Sequence, residues 1–244
     1  MPEWRLRRGH EVSLFEASDT LGGEFLLAGE APGKAEMKAA AFEMAEQVEK
    51  LVKVYKNTKV DAQMLKDADV DAVILAIGSS PITIKLEGMD KLQHASAPEV
   101  LRHEVCPKGK VAVIGGGLVG LETADTLATD GCDVTVLEMK DEIGSDLGSL
   151  RKIAVMMKLQ QMQVKMLPNS KVCKFTEEGI VLEDETLVPC NCAVFAVGFA
   201  SNDSHLLVEE CEKRQIPCRV IGDAKSARRA LDAIAEGFEA ARTL

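Results

Sequence analysis

Two stretches of this chain repeat each other at a fixed offset. Gly9-His10-Glu11-Val12-Ser13-Leu14-Phe15-Glu16 and Gly131-Cys132-Asp133-Val134-Thr135-Val136-Leu137-Glu138 lie 122 residues apart and share glycine, acid-valine, an apolar run and a closing glutamate. The same offset relates Asp19-Thr20-Leu21-Gly22 to Asp141-Glu142-Ile143-Gly144. Ala76-Ile77-Gly78 and Ala196-Val197-Gly198 match at 120. The chain is therefore expected to hold two similar units.

The second copy is complete. Val111-Ala112-Val113-Ile114 is a short apolar run that leads into Gly115-Gly116-Gly117-Leu118-Val119-Gly120 and then a helical stretch through Ala128. This is G-x-G-x-x-G between a strand and a helix. In a βαβ unit Gly115 permits the tight turn, Gly117 lets the backbone approach a pyrophosphate, and Gly120 allows helix to pack on strand. The helix start, with Leu118 and Val119, offers unpaired N–H groups and a positive dipole end to phosphates. Glu138 closes the next strand, 18 residues after Gly120, where a carboxylate can accept hydrogen bonds from adenosine ribose hydroxyls. A bound nicotinamide nucleotide, NADH in preference to NADPH, is the expectation, with Gly116 and Gly198 among the binding residues.

The first copy is partial. At the same offset the glycine matching Gly115 falls upstream of Met1, so the first strand and phosphate loop are expected to lie outside the chain. What remains is a helix tail over Trp4 to Arg8, a strand over Val12 to Phe15, Glu16 in the ribose-binding position, and Gly22-Gly23.

A net charge of −10 without a basic, aromatic-rich face argues against a nucleic-acid surface. No segment has the length of a membrane span, and the basic start lacks a signal peptide's apolar stretch, so a cytoplasmic location is expected. The seven cysteines contain no C-x-x-C and read as reduced and structural. Cys190-x-Cys192 on a strand would put both thiols on one face, without the further ligands of a zinc or iron–sulfur site. No metal site, no redox-active cysteine pair and no catalytic acid or base is assigned; the four dispersed histidines read as surface or core residues.

Periodicity predicts helices at about 35–51, 62–66, 150–162 and 230–243, the last opened by Ser226 or a neighbour. A buried strand over Val70 to Gly78 is expected, then a proline-marked crossover between domains from Ile82 to Lys110. Short strands near 164–167, 171–175, 180–183 and 186–189 read as a β-meander, and 193–198 returns to a parallel sheet. Arg219 to Ala224 reads as a strand ending in Gly222-Asp223.

These residues resemble a known family. Arg8-Gly9-His10-Glu11-Val12 with Leu21-Gly22-Gly23, Pro32-Gly33-Lys34, the Gly115 to Glu122 stretch, Asp141-Glu142-Ile143-Gly144 with Asp146-Leu147-Gly148, and Ile221-Gly222-Asp223 with Arg228-Arg229-Ala230 carry the likeness. They are similar to the C-terminal FAD- and NAD(P)-binding portion of the old-yellow-enzyme-related NADH:flavin oxidoreductases. That family includes 2-enoate reductase, 2,4-dienoyl-CoA reductase and trimethylamine dehydrogenase. The resemblance implies an α/β fold of two interleaved Rossmann-like domains of glutathione-reductase type, the first lacking its N-terminal strand and glycine loop. Residues 1–84 with 200–244 would form the FAD-binding-type domain and 103–199 the NAD(P)-binding domain. Glu16 would hold the FAD ribose, Gly22 and Gly23 would lie along its diphosphate with Gly78 nearby, and Gly222 and Asp223 would meet the ribityl chain. Electrons would pass from NADH through FAD to an upstream barrel carrying FMN and an iron–sulfur cluster, the parent enzyme reducing an enoate or enoyl-CoA. The competing expectation is a non-catalytic dinucleotide-binding or interaction module.

Overall fold

The computed structural model describes residues 9–243, so the helix expected over Trp4 to Arg8 lies outside the described residues. The chain divides into two compact units. One comprises the described residues up to Gly29, Glu36–Ser80 and everything from Phe199 on; the other comprises Glu30–Ala35 and Pro81–Gly198. Both are α/β, and in chain order they interleave.

The first half of unit 1 runs β1 (Ser13–Phe15), α1 (Gly23–Ala28), α2 (Ala35–Leu51), β2 (Lys53–Tyr55), α3 (Ala62–Asp67), β3 (Val73–Leu75) and β4 (Ser79–Pro81). Strand β1 pairs in parallel with β2, Leu14 opposite Val54, and the rings of Phe15 and Tyr55 stack with centroids 4.7 Å apart. Asp61 caps α3 by accepting the Met64 N–H at 2.8 Å, which explains why so short a helix starts where it does. The long strand expected over 70–78 shortens to Val73–Leu75, because Gly78 takes a positive φ and turns the chain into β4.

Unit 2 follows as β5 (Gln93–Ser96), α4 (Ala97–Leu101), β6 (Lys110–Ile114), α5 (Leu118–Thr129), β7 (Asp133–Leu137), α6 (Ser149–Gln161), β8 (Lys165–Leu167), β9 (Val172–Thr176), β10 (Gly179–Leu182), β11 (Leu187–Pro189) and β12 (Cys192–Phe195). Five strands form one parallel sheet in the order β5-β12-β6-β7-β8. The segment from Ile82 to Lys110 is thus more than a crossover, since it contributes an edge strand and a helix. Its prolines mislead as linker signals: Pro98 sits in the first turn of α4, where a missing N–H costs nothing, behind a Ser96–Glu99 capping box. The Ser96 hydroxyl and N–H hold the Glu99 carboxyl below its ordinary pKa.

Alternation along the central strands separates two cores, as a sheet covered on both faces requires. Val111, Val113, Val134, Val136 and Val194 face Leu121, Ala124 and Leu127 of α5 and Leu159 of α6. Ala112, Ile114, Leu137, Ala193 and Phe195 face the antiparallel meander β9-β10-β11 through Phe175, Ile180, Leu182 and Val188. The rings of Phe175 and Phe195 stack 5.9 Å apart.

The chain then returns to unit 1 with β13 (Phe199–Ser201), α7 (His205–Lys213), β14 (Cys218–Val220) and α8 (Ala230–Thr243). Strand β13 pairs with β4, and β14 pairs in parallel with β3. Leu65, Leu75, Leu207 and Cys211 form the buried cluster between α3, β3 and α7. Ser226 does not cap α8: the helix begins four residues later, with Asp232 accepting the Arg229 N–H.

Phe175 is 1% exposed and centres the core under the meander. Phe175→Ala is expected to cost about 3–5 kcal/mol, the usual range for emptying a buried aromatic site. Urea unfolding followed by circular dichroism measures it, and a loss below about 1 kcal/mol would remove this ring from the structural core.

Candidate functional site

The geometry of unit 2 is set at the turn from β6 into α5. Gly115 has φ +113°, a conformation side-chain-bearing residues avoid, and its own hydrogen bond runs from N–H to the Leu137 carbonyl at 2.8 Å. A methyl group on Gly120 would overlap the Gly115 carbonyl oxygen and meet Ala196. Glycine at 120 therefore lets α5 rest on the turn backbone to backbone, aiming its first N–H groups across the end of β6. Val197 and Gly198 leave β12 beside this turn, and the Gly198 carbonyl accepts the Ile82 N–H at 3.0 Å.

Glu138 lies where β7 ends and is only 9% exposed. Its Oε2 accepts the Gly116 N–H at 2.7 Å and its Oε1 accepts the Lys140 N–H at 2.9 Å. A carboxylate has about four acceptor positions, so two remain after these bonds. The structure thus brings Gly115, Gly116, Gly117, Leu118, Val119, Gly120 and Glu138 into one cradle. These residues fit a dinucleotide: the glycine turn leaves the start of α5 open to an anionic ligand apart from the small Asp146 carboxylate beside Gly117, and a buried carboxylate closes the far side.

Asp146, of the Asp146-Leu147-Gly148 motif, lies in the loop between β7 and α6. Both of its oxygens accept the Leu118 N–H, at 3.1 and 3.0 Å, so it sits on the start of α5. The sequence signal is the repeat itself, since the 122-residue offset carries Asp146 onto Glu24, another acid. Nearby, Glu122 of α5 pairs with Lys34 and with Arg151, the latter at 2.7 Å.

In unit 1 the expected residues form two local groups. Glu16 Oε1 accepts the Ser18 N–H at 2.8 Å and its hydroxyl at 2.9 Å, at the end of β1 and ahead of Gly22 and Gly23, which open α1. Asp223, next to Gly222, accepts the hydroxyl of Ser79, the residue after Gly78, at 3.2 Å and the Arg228 N–H at 3.3 Å. The Gly222 N–H is held by Glu236, whose carboxyl the Arg228 guanidinium pulls down to about 2. Among the described residues of unit 1, no glycine turn runs straight from a strand into a long helix. Unit 1 therefore offers hydroxyl-binding acids but no diphosphate cradle of the β6–α5 kind, and no step is derived through a flavin.

The sequence model of the family described as pyridine nucleotide-disulphide oxidoreductase matches residues 4–223. The chain belongs to that family. This corrects the family named from the motifs, the old-yellow-enzyme-related oxidoreductases: glycine turns and strand-end acids mark the paired nucleotide-binding fold and do not report on a barrel. The chain is a flavin- and NAD(P)H-dependent oxidoreductase domain with two interleaved Rossmann-type lobes. It is 36% identical over 245 residues to bilirubin reductase of Mediterraneibacter gnavus, covering 97% of this chain and 37% of that protein. It is 33% identical over 246 residues to cinnamate reductase of Clostridium sporogenes, covering 97% and 36%. Among solved structures, a 2-naphthoyl-CoA reductase in complex with 2-naphthoyl-CoA superposes with a TM-score of 0.88 at 26% identity, covering 98% of this chain and 37% of that one. The chain thus spans little more than a third of the length of the relatives it matches.

Cys190, Cys192 and Cys218 sit in surroundings that oppose thiolate chemistry. Cys192 packs into the core on the helix side of the sheet and Cys190 into the core under the meander, so the two thiols do not share a face. Cys190 lies in the turn ahead of β12, where strand alternation does not apply. Burial pushes both thiols up to about 11, and burial beside Cys211 pushes Cys218 up to about 12. Among the described residues no group of three His, Cys, Asp or Glu is placed to hold a metal, and no helix is long and apolar enough to cross a membrane. With Ellman's reagent at pH 8, exposed Cys106 and Cys173 should react fast, and Cys190, Cys192 and Cys211 only on unfolding. Fast native-state labelling of Cys190 or Cys192, located by peptide mapping, would refute their inert role.

Proposed function

We propose that this chain is the pyridine-nucleotide half of a longer reductase, binding NADH on Gly115 to Gly120 with Glu138 on the adenosine ribose. The observation that carries the reading is the buried Glu138 carboxylate, tied to the glycine turn yet keeping acceptor positions free. Leu118 and Val119 present the helix start to the diphosphate, and Gly198 borders the turn. When bound, NADH supplies a hydride; this chain's residues bind and orient it. Residues 103–199 would serve as the NAD(P)-binding domain, and 1–84 with 200–244 as the flavin-side domain.

On that flavin side we assign Glu16, Gly22, Gly23, Gly78, Gly222 and Asp223 to FAD in the parent enzyme. Electrons would leave for a neighbouring domain carrying FMN and an iron–sulfur cluster, and reduce an unsaturated acid or its CoA thioester. Support comes from the named substrates of the cinnamate and 2-naphthoyl-CoA reductases and from the short span of this chain within its relatives. We place the enzyme in the cytoplasm, on its free cysteines.

Charge-assisted hydrogen bonds contribute about 1.5–3 kcal/mol each, and Glu138 would repel a 2′-phosphate, so NADH should bind at least about tenfold more tightly than NADPH. Calorimetric titration of both nucleotides tests this, and tighter NADPH binding overturns the assignment.

The same chain should bind FAD weakly, because residues 1–8 contain no glycine and the described part of unit 1 supplies no diphosphate cradle. The purified protein is expected to be colourless, with absorbance near 450 nm (about where oxidised flavins absorb) appearing only when a strand and glycine turn are added ahead of it. A yellow preparation with stoichiometric FAD would contradict this.

A further inference from the structure

We propose that Asp146 is an internal stand-in for the nucleotide's diphosphate, occupying the start of α5 in the free protein and thereby setting the affinity for NADH. This rests on the reading of Gly115 to Gly120 as the nucleotide cradle. Leu118 N–H, one of the donors that a diphosphate at this helix start requires, is taken by both Asp146 oxygens. A methyl group on Gly117 would lie 3.2 Å from Asp146 Oδ2, so the carboxylate occupies the face of Gly117 along which a pyrophosphate is expected to approach. A carboxylate and a phosphate oxygen are the same kind of ligand for this N–H, and two anions cannot share it.

The loop has anchors besides Asp146. Ile143 is buried in the helix-side core, Leu147 packs against that core, and the Gly144 N–H donates to the Gly116 carbonyl at 2.7 Å. Asp146 itself is exposed between these anchors. Rotation of its side chain frees Leu118 N–H while the apolar anchors stay in place. Glu138 behaves oppositely, because it keeps acceptor positions for the ribose and stays. The two acids of one cradle thus act with opposite sign: losing Glu138 weakens NADH binding and losing Asp146 strengthens it.

The test is calorimetric titration of NADH into the 244-residue chain and its Asp146→Asn and Asp146→Ala variants, each checked for folding by circular dichroism. Asp146→Ala should tighten Kd about tenfold, which is about 1.4 kcal/mol. Asp146→Asn, which keeps an acceptor oxygen without the charge, should tighten it less. An unchanged or weaker Kd in folded Asp146→Ala overturns the proposal and leaves the nucleotide site standing. Should Asp146→Ala fail to fold, an unchanged or weaker Kd in Asp146→Asn overturns it equally. No NADH binding by any of the three overturns both the proposal and the site.

Discussion

At Gly120, helix α5 rests directly on the Gly115 carbonyl, and the cradle formed by the glycine turn depends on that contact. With any side chain at position 120 the helix would have to lift from the Gly115 carbonyl and from Ala196. The Gly116 N–H to Glu138 and the Leu118 N–H to Asp146 bonds both lie at this turn and depend on its geometry. One absent methyl group thus fixes the direction of a dipole, the position of a buried acid and the resting place of a second acid. The parallel sheet supports this arrangement by burying β6 on both faces, so the turn has a rigid base.

Much of this was legible because the residues concerned act locally. Strand β6, the glycine turn, α5 and β7 follow one another without interruption, and each glycine has a steric duty that only its neighbours in sequence impose. Helix α2 was equally plain, from a long run of strong helix formers. Helix α7 was not: the polar run His205 to Lys213 buries only Leu207 and Cys211, and its apolar partners, Leu65 and Leu75, lie far away in sequence. The edge strand β5 hid beside Pro98, a proline that serves as a helix starter. Asp146 hid for a related reason, because its partner Leu118 is 28 residues back and no local pattern announces the bond.

The repeat also shows where the two units differ. In unit 2, β5, β12, β6, β7 and β8 lie side by side in one sheet. In unit 1 the strands matching β5, β12, β7 and β8 form two separate parallel pairs, β14 with β3 and β1 with β2. The offset places β1 opposite β7 and β3 opposite β12, so β6 is the strand of unit 2 without a counterpart among the described residues. Two-stranded sheets are marginal by themselves, so unit 1 relies on its helices and on the Leu65–Leu207 cluster.

The path of the chain adds a constraint of its own. Unit 1 is left at Ser80 and re-entered at Phe199, with about 120 residues between. While that insert is unfolded, joining β3 to β14 means closing a very long flexible loop. Once the insert has folded, the Ile82–Gly198 hydrogen bond holds its two ends together and the effective loop shrinks to a few residues. The saving in closure entropy is roughly 3 kcal/mol, from (3/2)RT times the logarithm of the length ratio. Interleaving thus makes the closure of unit 1 less costly whenever the inserted unit is already folded, because only a short loop is then left to close.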